Sequence, residues 1–204
     1  MRAAGRITLF VLLAGCAHAA SGYRVPSDVG VLVTDPPAFA AFARDLRAGV
    51  ERELPATSGE PRKEHLFTLA LLDALDGHWP AAVARLDQIA ALETSPAARA
   101  MRGLTIRIFA EGGDFRQAME HQLAQLPIEL VRDQLAMLRT MAQVFTPAVC
   151  RQLVVENVKA RGGRVSFDDA QAIAFQRYAV VYLVPVAPVI DKVLAEHGIA
   201  PVTH

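Results

Sequence analysis

Apolar residues recur along most of this chain at spacings of three and four, the period that puts one stripe on the surface of a helix. From Pro36 onward the stripe is broken only by turn chemistry. The pattern predicts helices over 36–53, 63–76, 80–92, 96–111, 115–125, 128–145, 147–160, 167–184 and 188–197. Asp35-Pro36, Ser95-Pro96 and Thr146-Pro147 each set a capping side chain before a proline whose missing N–H is harmless in a first turn, and Pro80, Pro127 and Pro188 stand in similar positions. Gly162-Gly163 stops one helix, and Ser166 with Asp169 resembles a capping box for the next. Strand signals are nearly absent: Gly30-Val31-Leu32-Val33-Thr34 allows a brief extension, and the valine-rich 180–189 segment is ambiguous by periodicity. Residues 54–62 read as an internal linker, and 16–34, small and weakly patterned, as a tether. The expected fold class is all-α, one helical domain over 35–204.

The first residues follow another pattern. Arg2 and Arg6 precede an apolar stretch at 7–13, Ile-Thr-Leu-Phe-Val-Leu-Leu, after which residues become small. This is the layout of a cleavable signal over 1–15, and the run is far short of the roughly 20 residues a membrane-crossing helix needs. The best later candidate, 179–190, is interrupted by Pro185 and Pro188 and reads as a buried core segment.

Leu13-Ala14-Gly15-Cys16 resembles the lipobox of bacterial lipoproteins. The resemblance implies that the Cys16 thiol receives a diacylglycerol and that the chain is cut before it. It also implies frequent acylation of the new amino terminus and, with Ala17 rather than Asp next, sorting to the outer membrane. Two or three acyl chains anchor stably where one is marginal. The alternative on the residues is an ordinary secretory signal cut near Ala17-His18-Ala19, releasing a periplasmic protein.

Within the helical part, Gly77-His78-Trp79-Pro80-Ala81-Ala82-Val83 and Gly113-Asp114-Phe115-Arg116-Gln117-Ala118-Met119 share the form Gly-x-aromatic-x-x-Ala-apolar, 36 residues apart. Glycine relieves a tight turn, an aromatic fills the wedge between helices, and alanine lets backbones approach. Over about 65–126 this is similar to the tetratricopeptide repeat, with Gly77, Trp79, Ala82, Gly113, Phe115 and Ala118 as its signature. Leu69 and Ala70 supply the large-then-small pair of the first helix, and Leu86 and Ile89 continue the second. The chain departs from the family in its period, usually about 34, in the extra glycine of Gly112-Gly113, and in Asp73, which stands where the family has an aromatic. The resemblance implies helical hairpins stacked with flanking and C-terminal helices. Phe67, Leu71 and Leu75 would line its groove, too apolar to stay bare, so either a partner's helix or the 179–190 segment should cover them.

Composition narrows the chemistry. The 204 residues carry 21 basic and 21 acidic side chains; loss of Arg2 and Arg6 with the signal leaves 19 against 21, a formal charge of −2 with no basic excess for nucleic acid. Cys16 and Cys150 are the only cysteines, so no intramolecular structural disulfide is expected, and Cys150 reads as a small buried hydrophobe. Histidines 18, 65, 78, 121, 197 and 204 form no zinc-spaced set. Glu120 and His121 point about 100° apart on a helix, and Asp168-Asp169 suits first-turn dipole complementation. Tyr178 and Tyr182 read as core packing, and Arg44, Asp45, Arg47, Glu51 and Arg52 as a solvated face. No nucleophile elbow, P-loop or dinucleotide fingerprint occurs. Neither catalysis nor a cofactor nor a metal is expected. The expected function is that of a membrane-anchored envelope lipoprotein whose repeats bind another envelope protein, as assembly factors and pilotins of the resembled class do. The rival is a carrier of a lipid or other small hydrophobic ligand.

Overall fold

A computed structural model describes residues 22–94, 146–158 and 164–198, together with 111, 114, 116–118, 120, 132, 135, 136, 139, 140, 143 and 144. Helix takes 81% of the described residues and strand 3%, so the chain is all-α. The signal, Cys16, residues 96–110 of the helix expected at 96–111 and the Gly162-Gly163 stop lie outside the described residues.

The elements are β1 (Tyr23–Arg24), α1 (Val31–Thr34), α2 (Pro36–Glu53), α3 (Gly59–Leu75), α4 (Trp79–Leu92), α5 (Pro147–Val158), β2 (Arg164–Val165), α6 (Phe167–Tyr178) and α7 (Ala187–Glu196). Helix α2 buries Phe39, Phe42, Leu46, Gly49 and Val50, a single stripe of the period that predicted it. In α3 the ring of burial closes: from His65 to Ala74 only Phe67 escapes full burial. A helix apolar on nearly all sides must be central, and α2, α4 and α6 all pack on α3.

Four expectations are corrected. The last part of the expected tether belongs to the core: Tyr23 and Val165 face each other across the antiparallel β1–β2 pair and are both buried, while Leu32 and Val33 are fully buried. Residues 30–34 form no extension, because α1 instead packs on α2, α5 and α6. Its terminal Val33 carbonyl, an orphan at a helix end, accepts a 2.7 Å bond from Arg177, whose guanidinium stands 5.9 Å over Phe39. The 54–62 linker is mostly helical, a 3-10 turn at Leu54–Ala56 followed by α3 from Gly59, with Pro61 in the first turn where its lack of N–H costs no helical bond.

The fourth correction is at the C-terminus, where the two expected helices run on as one. A wide turn at Ala179–Leu183 and a 3-10 turn at Val184–Val186 join α6 to α7. The Pro185 ring clashes with the carbonyl four residues before it, and changing the winding relieves the clash without ending the helix. Phe167–Glu196 thereby becomes long and apolar enough to cross a membrane by length and composition. Its inner stripe, Ile173, Tyr178, Leu183, Val186 and Ile190, is nevertheless one wall of the cluster built by α2 and α3.

Candidate functional site

Helices α3 and α4 form a helical hairpin. At its turn the His78 N–H reaches the Asp73 carbonyl at 2.7 Å and the Gly77 N–H the Ala74 carbonyl at 3.0 Å, the paired bonds that close a helix through a left-handed residue. Gly77 has φ +77°, a conformation that a Cβ penalises. Ala82 is fully buried where α4 meets α3. Trp79 points further than expected: its ring meets Tyr182 of the C-terminal run edge-on at 5.1 Å. Of the second unit that the sequence leads one to expect, Gly113, Phe115 and His121 lie outside the described residues. Ala118 is fully buried, and Asp114 caps the start of its helix by accepting the Gln117 N–H at 3.0 Å.

The expected groove residues are buried or half-buried. Leu71 is 1% exposed, and Phe67 and Leu75 pack partly buried against the same core. Gln171 donates to the Glu64 carbonyl at 3.0 Å and to the Thr68 hydroxyl at 2.9 Å, while the Tyr182 hydroxyl donates to the Ala74 carbonyl at 3.3 Å. Two turns of α3 are thus bridged from above. Helix α6 and Tyr182 of the turn after it both reach α3.

The clearest polar cluster was not foreseen. Asp73, with a side chain 4% exposed, receives Arg47 Nη1 at 2.5 Å and Arg85 Nε at 2.7 Å. Arg47 also reaches Asp76 at 2.8 Å, and Arg85 stands 3.9 Å from Glu51. Burial opposes the Arg47 charge, but its bonds to Asp73 and Asp76 outweigh that and lift its pKa above the ordinary value. Arg47 is therefore a clamp joining α2 to α3 rather than part of a solvated face. His65, also unforeseen, is 2% exposed; its Nδ1 lies 2.7 Å from the Pro61 carbonyl, which only accepts, so that nitrogen carries a proton. Its ring stacks on Phe167 at 4.5 Å and its Nε2 lies 3.4 Å from Glu53.

The remaining candidates hold the structure together. Cys150 is fully buried, and desolvation pushes its thiol up to about 11. Tyr178 and Tyr182 pack ring to ring at 5.2 Å, and burial raises the pKa of both. Ser166 caps α6 by accepting the Asp169 N–H at 3.2 Å and gives its hydroxyl proton to the Asp169 carboxylate. Among the described residues no group of three or more His, Cys, Asp or Glu is placed to hold a metal ion.

One cleft of about 330 Å³ opens where the described chain begins, between β1, β2 and α2. It is polar, lined by Arg24, Arg52 and Arg164 with Asp45. Tyr23 forms one wall. A Cβ at Gly49 would lie 2.6 Å from its ring, so only glycine there admits it. The Tyr23 hydroxyl is buried with no partner among the described residues, and burial, helped by Glu53 and opposed by Arg52, pushes it up to about 12. No protein-family model, curated protein or solved structure matches the chain.

Proposed function

We propose that the chain is an exported lipoprotein, acylated at Cys16 and held at the outer membrane facing the periplasm, whose helical domain binds another envelope protein as a scaffold or assembly factor. The observation that carries this is the arrangement of Arg2, Arg6, the apolar 7–13 run and Leu13-Ala14-Gly15-Cys16. A binding role is supported by how the interior is used. The acid and imidazole buried on α3 are engaged in contacts between helices, and α4 presents Ala81, Ala84, Asp87, Gln88 and Ala91 outward as a continuous exposed surface. A hydrophobic ligand is less well served, because the apolar side of α3 is covered by Gln171 and Tyr182 and the described cleft is rimmed by arginines.

Cys16→Ala is expected to abolish palmitate labelling and move the protein out of the membrane fraction; unchanged labelling and fractionation would overturn the lipoprotein reading. Removing 65–126 is no test of binding, since it takes most of α3 and the core with it. A photo-crosslinking side chain at Ala84 or Gln88 leaves the core intact. It should yield a discrete envelope-protein adduct, and its absence at both positions rejects α4 as the binding face.

A further inference from the structure

We infer that the cleft between β1, β2 and α2 binds a phosphate group, supplied by the headgroup of an anionic lipid in the membrane to which the chain is anchored. The membrane source rests on the lipoprotein reading; the phosphate chemistry does not.

The two-residue ladder sets the charges. Tyr23 and Val165 form its inward pair, so Arg24 and Arg164, directly opposite one another, form the outward one. Like charges facing across a ladder repel, and an anion between them removes the repulsion. Arg52 on α2 makes a third guanidinium on the same cleft, against one lining acid, Asp45. Elsewhere Arg47, Arg85, Arg116, Arg139 and Arg151 pair with acids, and Arg62 and Arg177 with backbone carbonyls. Arg24 and Arg52 are exposed and have no acidic partner among the described residues, and Arg164 gives one N–H to the Gly22 carbonyl, leaving the rest of its fork.

A second observation is independent of these charges. The Tyr23 hydroxyl, lodged over Gly49 at the cleft wall, is buried without an acceptor among the described residues, and an uncompensated buried donor is costly. Planar guanidinium forks match the tetrahedral oxygens of phosphate two at a time, so this donor set favours phosphate over a compact single-atom anion. A cleft of about 330 Å³ holds a headgroup and leaves acyl chains in the bilayer. Tyr23 follows Cys16 by seven residues, a reach of about 25 Å when fully extended, so an anchored chain keeps the cleft within headgroup distance.

The test uses the mature chain carrying Cys16→Ala, so the anchor plays no part, with phosphatidylcholine vesicles with and without phosphatidylglycerol, and with soluble glycerol phosphate. Losing one arginine near an anionic surface weakens binding about fivefold and two about twenty-fivefold. Arg24→Gln with Arg52→Gln should therefore lose about twenty-fivefold on anionic vesicles. Asp45→Asn should bind tighter, a gain that misfolding does not produce. Arg44→Gln, an exposed arginine outside the cleft lining, should bind like the parent. Glycerol phosphate binding that the cleft variants abolish, without preference for anionic vesicles, assigns the site to a soluble phosphate. Equal losses in Arg44→Gln, or no binding to either probe, overturn the site, whereas unchanged fractionation of full-length Cys16→Ala overturns only the anchor.

Discussion

Replacing Asp73 by asparagine isolates the ion cluster that binds α2, α3 and α4 together. In the native chain the carboxylate is 4% exposed and answered by two guanidiniums, at 2.5 and 2.7 Å. Asparagine keeps the shape and one acceptor oxygen, but turns an NH2 group toward the second arginine, donor against donor. Breaking a fully buried pair costs about 3–5 kcal/mol, because the survivor is stranded without water. Here the survivors are less stranded: the Arg47 and Arg85 side chains are 24% and 23% exposed, and each retains a second acid, Asp76 at 2.8 Å and Glu51 at 3.9 Å. The expected loss is therefore about 2–3 kcal/mol, or roughly 5–10 °C in Tm for a domain of this size. Thermal and urea unfolding of the Cys16→Ala chain would measure it, with an unchanged urea slope showing that stability rather than compactness has moved. Asp87→Asn, on the exposed side of α4, should cost under about 0.5 kcal/mol. A Tm for Asp73→Asn indistinguishable from that of Asp87→Asn would refute the cluster as a structural clamp.

Two further outcomes follow from backbone and burial. Gly77→Ala should cost about 1–2 kcal/mol from its positive φ alone, since nothing lies within 4 Å of the added Cβ. Gly49→Ala should also destabilise, by about 1–3 kcal/mol, for the opposite reason, a Cβ 2.6 Å from the Tyr23 ring. Loss of near-ultraviolet tyrosine signal in Gly49→Ala but not in Gly77→Ala separates the two. The Cys150 thiol should resist iodoacetamide at pH 8 in the folded chain and react once urea unfolds it; rapid labelling of the folded chain would contradict its burial. Because its folded pKa, about 11, lies above the ordinary 9.0, its neutral form stabilises fully below pH 9 and that contribution is lost as pH rises toward 11. Cys150→Ala should flatten that decline.

Elements governed by local chemistry were legible in advance. Helix α2 begins and ends at the expected residues, α4 begins one residue early, and α5 starts at Pro147 with Thr146 capping the Val149 N–H at 3.3 Å. Proline at a first turn and a short polar side chain before it leave the chain few alternatives there. What escaped the sequence was decided across long separations. Tyr23, Leu32 and Val33 are too few to show a period, and their burial depends on Val165 and Arg177, more than 140 residues away. The join between α6 and α7 escaped for a related reason. Pro185 ends a helix by local rules, and packing of the apolar run on α3 repays the cost of rewinding the turn instead.

Asp73 shows how one residue can be read correctly and its consequence missed. At an aromatic position of the resembled repeat it weakens the likeness, and taken alone a carboxylate on the apolar side of a helix argues against burial. The arginines that reverse the argument come from the preceding helix and the following one, 26 and 12 residues away. A filled aromatic wedge and a buried acid held by two guanidiniums are different solutions to one task, fixing α2 and α4 against α3. They differ in what they tolerate. Apolar contact survives a small rotation of the helices, whereas two directional bonds on one carboxylate do not, so this hairpin is held to a single crossing geometry where an aromatic would have allowed several. A chain that holds its C-terminal run on α3 gains from that rigidity, because Gln171 reaches α3 through two hydrogen bonds and Tyr182 through one, and a shifted α3 would break them.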